Sequence, residues 1–327
     1  MSEWKEISLH AIKGVKIGHA QDEAHATGCT VILPDKKAVC GLDVRGGGPA
    51  SRETQLLNPL MSNDGVNAVL LSGGSAFGLD AAGGVMKYLE EQGKGVKVGG
   101  NIVPIVVGSS IFDLGCVDGS VRPDAAMGYR ACEDAQRDLE RNGNVGAGMG
   151  ATVGKILGND RSMKSGLGCY AAQVGSLQVG AIVAVNAIGD VYEMDSNREL
   201  AGLLSKDKTA MISSEKEAVK LLQLASTFCL NTTIGCIITN AGLDKAEMNK
   251  VAAMASNGLA RTIRPVNTSM DGDSIYAMSV GKVRSCADVV GTLAAHVMAK
   301  AINRAVLETA PIHGYKSAQS FLKGAIS

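Results

Sequence analysis

Hydrophobic residues lie along the chain in short runs of strand length, mixed with longer segments of helical period. The runs predict strands at 13–18, 30–33, 38–44, 67–71, 103–107, 169–174, 179–185, 232–239 and 274–280. The helical period predicts helices at 76–91, 124–141, 215–224, 245–260 and 287–307. The polar stretch 193–215 is expected to be a surface loop or insertion.

Strands and helices do not alternate strictly, and several strands are hairpin-like. This arrangement favours sheets covered by helices, a layered α/β (α+β) sandwich, over a strict βαβ fold. No repeat or linker divides the chain, so we expect a single domain over residues 1–327.

Composition and charge exclude several kinds of partner. The chain has 327 residues, 46% of them hydrophobic, with a formal net charge of +0 and no basic stripe, which argues against nucleic acid. No apolar run reaches the ~18 residues of a membrane span, and the N-terminus lacks a signal-peptide pattern. We therefore expect a cytoplasmic protein that does not bind membranes.

Cysteines and histidines give no sign of a metal centre. The 8 cysteines include no CxxC pair, and the 5 histidines show no metal-binding spacing. The cysteines are expected to be reduced and mostly buried. The sequence thus predicts no metal and no cofactor.

Three glycine-rich segments invite a prediction of anion binding. Ser72-Gly73-Gly74-Ser75 separates a strand from a helix, so it could hold an anion at the helix N-terminus or simply cap the helix through Ser75. The run 46–48 is interpreted as a backbone-crowded turn rather than an anion site. The segment 143–155 fails as a phosphate loop, because Met149 stands where glycine is needed and Ile156 where Ser or Thr is needed.

The stretch 264–277 has the most distinctive order of residues. A proline-bearing turn leads to Asn267-Thr268, then to the Asp-Gly-Asp corner 271–273 and a strand. These are ordinary turn residues. A threonine at a new N-terminus, however, combines a nucleophilic hydroxyl with an α-amine that titrates near ~8 and can act as its base. Both interpretations, a plain turn and a bond that the protein cuts in itself, are open on these residues alone.

Four segments together resemble the DmpA family, which includes L-aminopeptidase/D-amino acid esterases, β-aminopeptidases and nylon-oligomer endo-hydrolases. They run in the family's order and span 27–32, 43–47, 71–82 and 258–273. The resemblance implies a four-layer αββα sandwich and a precursor that cleaves itself before a Ser or Thr. The products here would be 1–267 and 268–327, assembled as tetramers of processed heterodimers. The Asn267-Thr268 pair is most similar to the nylon-oligomer (6-aminohexanoate oligomer) branch.

The resemblance also implies roles for individual residues. Thr268 matches the nucleophile, Asn186 the amide that binds the oxyanion, and Lys155 a lysine beside the nucleophile. Further residues are expected to line the site: Ser72, Gly73, Gly74, Ser75, Phe112 and Asn303.

The chain departs from the family pattern at several positions. Phe112 stands in place of a tyrosine, Ala301 and Asn303 in place of a polar or acidic pair, and Gly108 in place of a glutamate that holds the substrate amine in β-aminopeptidases. Asp271 and Asp273 are expected to fix the corner after the nucleophile rather than take part in the chemistry.

The function implied is that of an N-terminal threonine hydrolase acting on amide bonds through an acyl-enzyme. Its substrates would be peptides, amino-acid amides or esters, or nylon-type oligoamides. Two alternatives stay open: an acyltransferase on the same fold, and a catalytically weak homologue that binds a small molecule.

Overall fold

The computed structural model describes residues 4–137, 139–221 and 231–322. Its strands are β1 (Lys5–Ile7), β2 (Val15–Asp22), β3 (Thr27–Pro34), β4 (Val39–Val44), β5 (Ala50–Arg52), β6 (Ala68–Ser72), β7 (Val96–Val98), β8 (Asn101–Val103), β9 (Val106–Ser110), β10 (Thr152–Val153), β11 (Met163–Lys164), β12 (Leu167–Val174), β13 (Leu177–Asn186), β14 (Asp190–Tyr192), β15 (Glu199–Ala201), β16 (Thr232–Ala241), β17 (Ile263–Arg264) and β18 (Ser274–Val283). Its α-helices are α1 (Ala81–Glu91), α2 (Ala125–Asp134), α3 (Ser214–Leu221), α4 (Lys245–Ala255), α5 (Asn257–Thr262), α6 (Ala287–Leu307) and α7 (Ala318–Leu322).

Two sheets form the centre of the fold. The larger has the strand order β1-β12-β13-β16-β18-β4, and the smaller has the order β2-β3-β6-β9-β5. Most neighbouring strands are antiparallel, but β16 and β18 run parallel, as do β6 and β9. The parallel pairs bring the starts, or the ends, of two strands to the same edge, where their loops meet.

Alternating side chains divide the core into three layers. Ile182 and Ala184 of β13 pack between the two sheets, whereas Val183 and Val185 pack against α4 and α6. The smaller sheet packs its opposite face against α1 and α2. Helix, sheet, sheet and helix therefore stack in that order, which confirms the predicted αββα sandwich.

Several predicted elements are confirmed and others are wrong in their bounds. Helix α6 and the hairpin of β12 and β13 lie where the pattern placed them. The helix predicted at 76–91 begins only at Ala81, because Gly74 and Ser75 take positive φ and a 3-10 turn follows them. The helix predicted at 124–141 ends at Asp134, and the one predicted at 245–260 is divided at Ser256.

The stretch 193–215 is not a plain surface loop. It contains β15, and a buried apolar group within it packs into the core: Leu200, Ala201, Leu203 and Leu204. Part of the predicted helix at 215–224 lies beyond residue 221 and so outside the described residues.

Two further findings concern the cysteines and the length of the helices. Within the described ranges, Cys286 is exposed and the other cysteines are buried and free, while Cys229 lies outside those ranges. No helix in the described parts of the chain combines the length and apolar character needed to cross a bilayer.

Candidate active site at one edge of the sandwich

The predicted site residues stand at strand ends. Strand β13 ends at Asn186, which pairs with Thr232 at the start of β16, and Ile234 of β16 pairs with Ser274 at the start of β18. The end of β13 and the residues just before β18 therefore share one edge of the larger sheet. A hydrogen bond of 3.0 Å from Asn186 Nδ2 to the Phe112 carbonyl joins this edge to the segment after β9.

Thr268 lies in a tight turn before β18, and its side chain is half-buried. Its hydroxyl donates to Asp271 Oδ2 at 2.6 Å, and its backbone N–H donates to the same oxygen at 3.0 Å. The Met270 N–H donates to Thr268 Oγ1 at 3.2 Å. One carboxylate oxygen thus contacts both the hydroxyl and the nitrogen of Thr268.

The residue before Thr268 is held by the other aspartate of the corner. The Asn267 N–H donates to Asp273 Oδ2 at 3.0 Å, and the Thr233 N–H donates to Asp273 Oδ1 at 2.6 Å. Asn267 has φ 58°, in the left-handed region that asparagine tolerates better than most residues. The bond between Asn267 and Thr268 is therefore flanked by two buried carboxyl groups.

Burial and mutual repulsion set the charge of these two carboxyl groups. Burial first, and then the charge of Asp271, raises the pKa of Asp273 to about 7. Burial also raises the pKa of Asp271, but the hydrogen bonds from Thr268, the nearby Ile188 amide and the positive charge of Lys155 oppose that rise. Two neighbouring carboxyls cannot both ionise freely, so we assign the negative charge of the pair to Asp271.

Lys155 and Asn186 form a second buried group. The Lys155 ammonium donates to the Asn186 carbonyl at 2.9 Å and to Asn186 Oδ1 at 2.7 Å. The Thr152 N–H also donates to Asn186 Oδ1, at 3.1 Å. Because two donors meet that atom, it must be the amide oxygen, and the NH₂ group must point the other way.

Backbone contacts bring the Lys155 and Thr268 groups together. The Lys155 N–H donates to the Ile188 carbonyl at 2.9 Å, and the Ile188 amide faces the carboxylate of Asp271. Gly189 is also pressed against the backbone at Pro265, where any side chain would overlap the Pro265 carbonyl. The Asn186–Gly189 segment therefore packs directly beside the turn that holds Thr268.

The glycine run 46–48 supports the same turn from its other side. The Gly47 N–H donates to the Thr268 carbonyl at 3.1 Å, and the Gly48 N–H donates to the Asp271 carbonyl at 2.9 Å. A Cβ on Gly47 would lie 2.7 Å from Ser269 Cα. The interpretation as a backbone-crowded turn is confirmed, and the backbone it crowds is that of Thr268 to Asp273.

The loop Ser72 to Ser75 binds a carboxylate of the protein itself. The Gly74 N–H donates to Asp113 Oδ1 at 2.6 Å, and the Thr27 hydroxyl donates to Asp113 Oδ2 at 2.8 Å. The Gly73 N–H donates to the Gly28 carbonyl at 2.8 Å, and the Ser72 hydroxyl donates to the Gly78 carbonyl at 3.0 Å.

Ser75 does not cap the helix, which was one of the two alternatives left open for this loop. Gly74 occupies the cap position of the 3-10 turn, and no side chain caps it. Burial raises the pKa of Asp113 to about 6, and Lys155 contributes in the opposite sense. The loop therefore belongs to the internal support of the segment that carries Phe112.

Asn303 forms hydrogen bonds with the β14 region. Asn303 Oδ1 accepts from the Met194 N–H at 3.0 Å, and Nδ2 donates to the Tyr192 carbonyl at 2.8 Å. The ring of Tyr192 in turn lies 4.5 Å from the Arg264 guanidinium. The described hydrogen bonds of Asn303 are therefore with the β14 region, and its role at the Thr268 turn stays a prediction.

Sequence reasoning missed Asp113 and expected Asp271 only to fix the corner after Thr268. Asp113 gives no local signal, because its partners Thr27 and Gly74 are distant in sequence. Asp271 gives one, since Thr268 and Asp271 have the spacing [ST]-x-x-[DE], in which the acidic side chain reaches back to the first residue's N–H. Over the residues that the structure describes, no three His, Cys, Asp or Glu side chains cluster as metal ligands would.

Comparisons with known proteins place the chain in a family. A model of peptidase family S58 matches residues 8–320. An uncharacterised aminopeptidase of Mycobacterium leprae is 38% identical over 97% of this chain and 95% of its own length. A 6-aminohexanoate-oligomer endohydrolase of Paenarthrobacter ureafaciens is 29% identical over 86% of this chain and 77% of its own.

Solved structures show the same fold at lower identity. An L-aminopeptidase D-Ala-esterase/amidase from Ochrobactrum anthropi superposes with a TM-score of 0.69 at 16% identity, covering 94% of this chain and 87% of that one. A β-aminopeptidase of a Burkholderia species gives 0.68 at 17% identity, covering 100% and 96%.

Proposed function

The chain belongs to peptidase family S58, and on that premise we propose that it is a self-processing amidase whose nucleophile is Thr268. Family membership makes it a hydrolase of the peptidase class. The finer proposal is that the Asn267–Thr268 bond is cut by the protein itself, which leaves the fragments 1–267 and 268–327. The mature site would then hydrolyse amide bonds through an acyl-enzyme on Thr268.

One observation carries this proposal. The buried Lys155–Asn186 pair and the half-buried Thr268 turn meet at Ile188, whose carbonyl accepts from the Lys155 N–H and whose amide lies near the carboxylate of Asp271. A nucleophile, a cation and an amide donor in one place are what acyl transfer needs. An ordinary surface turn would not require a fully buried lysine and asparagine beside it.

In turnover, the Thr268 amine would take the proton of the Thr268 hydroxyl, and Oγ1 would attack the substrate carbonyl. Asn186 Nδ2 carries two hydrogens, one of which is donated to the Phe112 carbonyl. The second is the proposed donor to the oxyanion. The nearby cation of Lys155 would lower the pKa of the amine and keep it unprotonated. The protonated amine would then serve the leaving group, and water would release the acyl group.

The names of the relatives indicate the general class of substrate. Their names include aminopeptidase and 6-aminohexanoate-oligomer endohydrolase, so we propose small amides, peptides or linear oligoamides as substrates. Gly108, which pairs with Arg52 within the smaller sheet, offers no side chain to hold a substrate amine. This favours cleavage that does not depend on such a contact. Assembly as a tetramer of processed heterodimers in the cytoplasm belongs to the same proposal.

The test is intact-mass analysis of freshly purified protein beside the Thr268→Ala variant. Two fragments, one ending at Asn267 and one beginning at Thr268, are expected from the wild type, and one full-length chain from the variant. A wild-type chain that stays whole would contradict the proposal. An amine acceptor added to the assay separates hydrolysis from acyl transfer, because a transferase would give the acylated amine as product.

A further inference from the structure

The carboxylate of Asp271 lies where a proton must move if the chain cuts itself. We propose that Asp271 is a catalytic residue of self-cleavage, which carries the proton of the Thr268 hydroxyl to the Thr268 nitrogen through its single oxygen Oδ2. The proposal rests on the proposed cleavage at Asn267–Thr268 and names the group that performs it.

The geometry carries the inference. Asp271 Oδ2 is 2.6 Å from Thr268 Oγ1 and 3.0 Å from Thr268 N, so both atoms already donate a hydrogen bond to it. These are the two atoms whose protonation changes when a threonine amide becomes an ester. A general base must be within hydrogen-bond reach of the proton that it takes, and Asp271 Oδ2 meets this requirement for the Thr268 hydroxyl.

Each step balances with this one carrier. Asp271 Oδ2 takes the hydroxyl proton as Oγ1 bonds to the Asn267 carbonyl carbon, which gives a tetrahedral oxyanion. The oxyanion collapses, the bond from that carbon to Thr268 N breaks, and Asp271 returns the proton to the nitrogen. The products are an ester and a neutral amine, and Asp271 is again a carboxylate. Water then hydrolyses the ester and frees both ends.

The surroundings keep Asp271 ready for this exchange. Asp273 holds the Asn267 N–H and Lys155 lies within electrostatic reach, so the pair of carboxyls carries one negative charge beside one cation. The backbone of Asp271 is also fixed. The Gly48 N–H donates to the Asp271 carbonyl, and the N–H of the next residue, Gly272, donates to the Asn231 carbonyl. The side chain is therefore positioned before cleavage begins.

A purely structural role for Asp271 makes a different prediction. The same hydrogen bonds would close a turn of capping-box type whether or not Asp271 ever accepts a proton. Asp271→Asn separates the two roles, because its amide oxygen can still accept from Thr268 but cannot take up the proton.

The experiment follows conversion of newly made full-length chain into two fragments. Protein is labelled in a cell-free translation, synthesis is stopped, and the cleavage rate is measured at pH values between 5 and 9, roughly the range in which the protonation of such a base affects the rate. Asp271→Asn is expected to cleave about 100-fold more slowly than wild type or worse, with a rate that rises about tenfold for each pH unit as hydroxide replaces the missing base. The exposed neighbour Ser269→Ala is the matched control and is expected to cleave at the wild-type rate.

The outcomes are distinct. A wild-type chain that stays whole would refute the proposed function itself. A folded Asp271→Asn chain that cleaves within threefold of the wild type, or keeps the wild-type pH profile, would refute only the role of Asp271. Folding is checked by circular dichroism and melting temperature. If the variant does not fold, the wild-type profile decides once it is extended down to about pH 3, below the usual pKa of an aspartate. Cleavage must then slow about tenfold per unit as the pH falls below the pKa of the base, and a profile that stays flat over the extended range would overturn the inference.

Discussion

At the scale of single residues, the site depends on the orientation of its polar side chains, that is, on whether a donor or an acceptor atom faces each neighbour. Asn186 illustrates this, because its amide oxygen is committed to Lys155 and Thr152 while its nitrogen faces Phe112 and the edge of the sheet. The orientation is set by the donors around it, and it leaves one N–H of the amide, beyond the one bonded to Phe112, for the proposed oxyanion.

Asn186→Asp is expected to remove the oxyanion donor while it retains the oxygen that Lys155 and Thr152 bind. Turnover of an amino-acid anilide by the processed protein should fall about 10²–10³-fold, the usual loss of one oxyanion-hole donor. Steady-state kinetics should place the loss in kcat.

The matched control is Asn303→Asp, the same substitution at a buried asparagine that bonds to Tyr192 and Met194. It is expected to keep its turnover. Equal losses in the two variants would show that the Asn186 effect is structural.

At the scale of elements, the turn before β18 is shaped by a partner loop. The loop 46–48 donates two backbone N–H groups to the turn, and the absence of side chains at Gly46 and Gly47 allows the two backbones to approach. Glycine here is required by close approach rather than by unusual φ, since neither residue lies in the left-handed region.

Gly47→Ala is expected to displace the turn, slow self-cleavage and lower the free energy of unfolding by about 1–3 kcal/mol, the usual cost of overpacking. Its Cβ would lie 2.7 Å from Ser269 Cα, and that contact is with backbone that cannot rotate away. Gly48→Ala is the matched control, because its Cβ would meet nothing closer than the Asp271 carbonyl oxygen at 3.9 Å. Cleavage time courses and thermal melts of the two variants provide the measurement, and similar behaviour of both would contradict the packing argument.

Elements were predictable from sequence where the signal is local. The 3.6-residue period of α6 and the paired apolar runs of β12 and β13 are properties of neighbouring residues, and both predictions were confirmed. The start of α1 was not predictable in this way, because the 3-10 turn before it follows from Gly74 binding Asp113, 39 residues later. The burial of Leu200 to Leu204 likewise results from packing against distant strands.

The site was predictable only through resemblance and spacing. Thr268, Asn186 and Lys155 are ordinary turn and loop residues by local pattern, and their roles remain proposals. The structure adds that β13, β16 and β18 bring them to one edge, which depends on strand order. Asp271 was expected to fix the corner, and it does bond there, while its contact with the Thr268 hydroxyl is the basis of the role proposed for it in self-cleavage.

At the scale of the whole molecule, buried carboxyl groups link stability to pH. Burial raises the pKa of Asp273 to about 7, whereas an unfolded chain would ionise it near ~3.9. The protonated group therefore stabilises the fold fully below about pH 4, and that contribution is lost as the pH rises through about 7.

The uncut Thr268→Ala chain is accordingly expected to lose unfolding free energy between about pH 4 and 7, by up to about 1.4 kcal/mol per pH unit for this group. The double variant Thr268→Ala/Asp273→Asn should show a flatter dependence over the same interval, although it starts lower because it loses an acceptor for Asn267 or Thr233. Chemical denaturation at several pH values provides the measurement. Parallel curves would show that Asp273 is already ionised in the folded chain.

The position of β18 determines how reversible the unfolding of the protein is. This strand lies inside the larger sheet, between β16 and β4, and it belongs with α6 to the part of the chain that follows Thr268. Before the cut, folding is a first-order process of one molecule. After the proposed cut, the interior strand would belong to a separate molecule, and recovery from denaturation would become second order and dependent on dilution. The processed protein would thus owe its lifetime to slow unfolding rather than to repeated refolding.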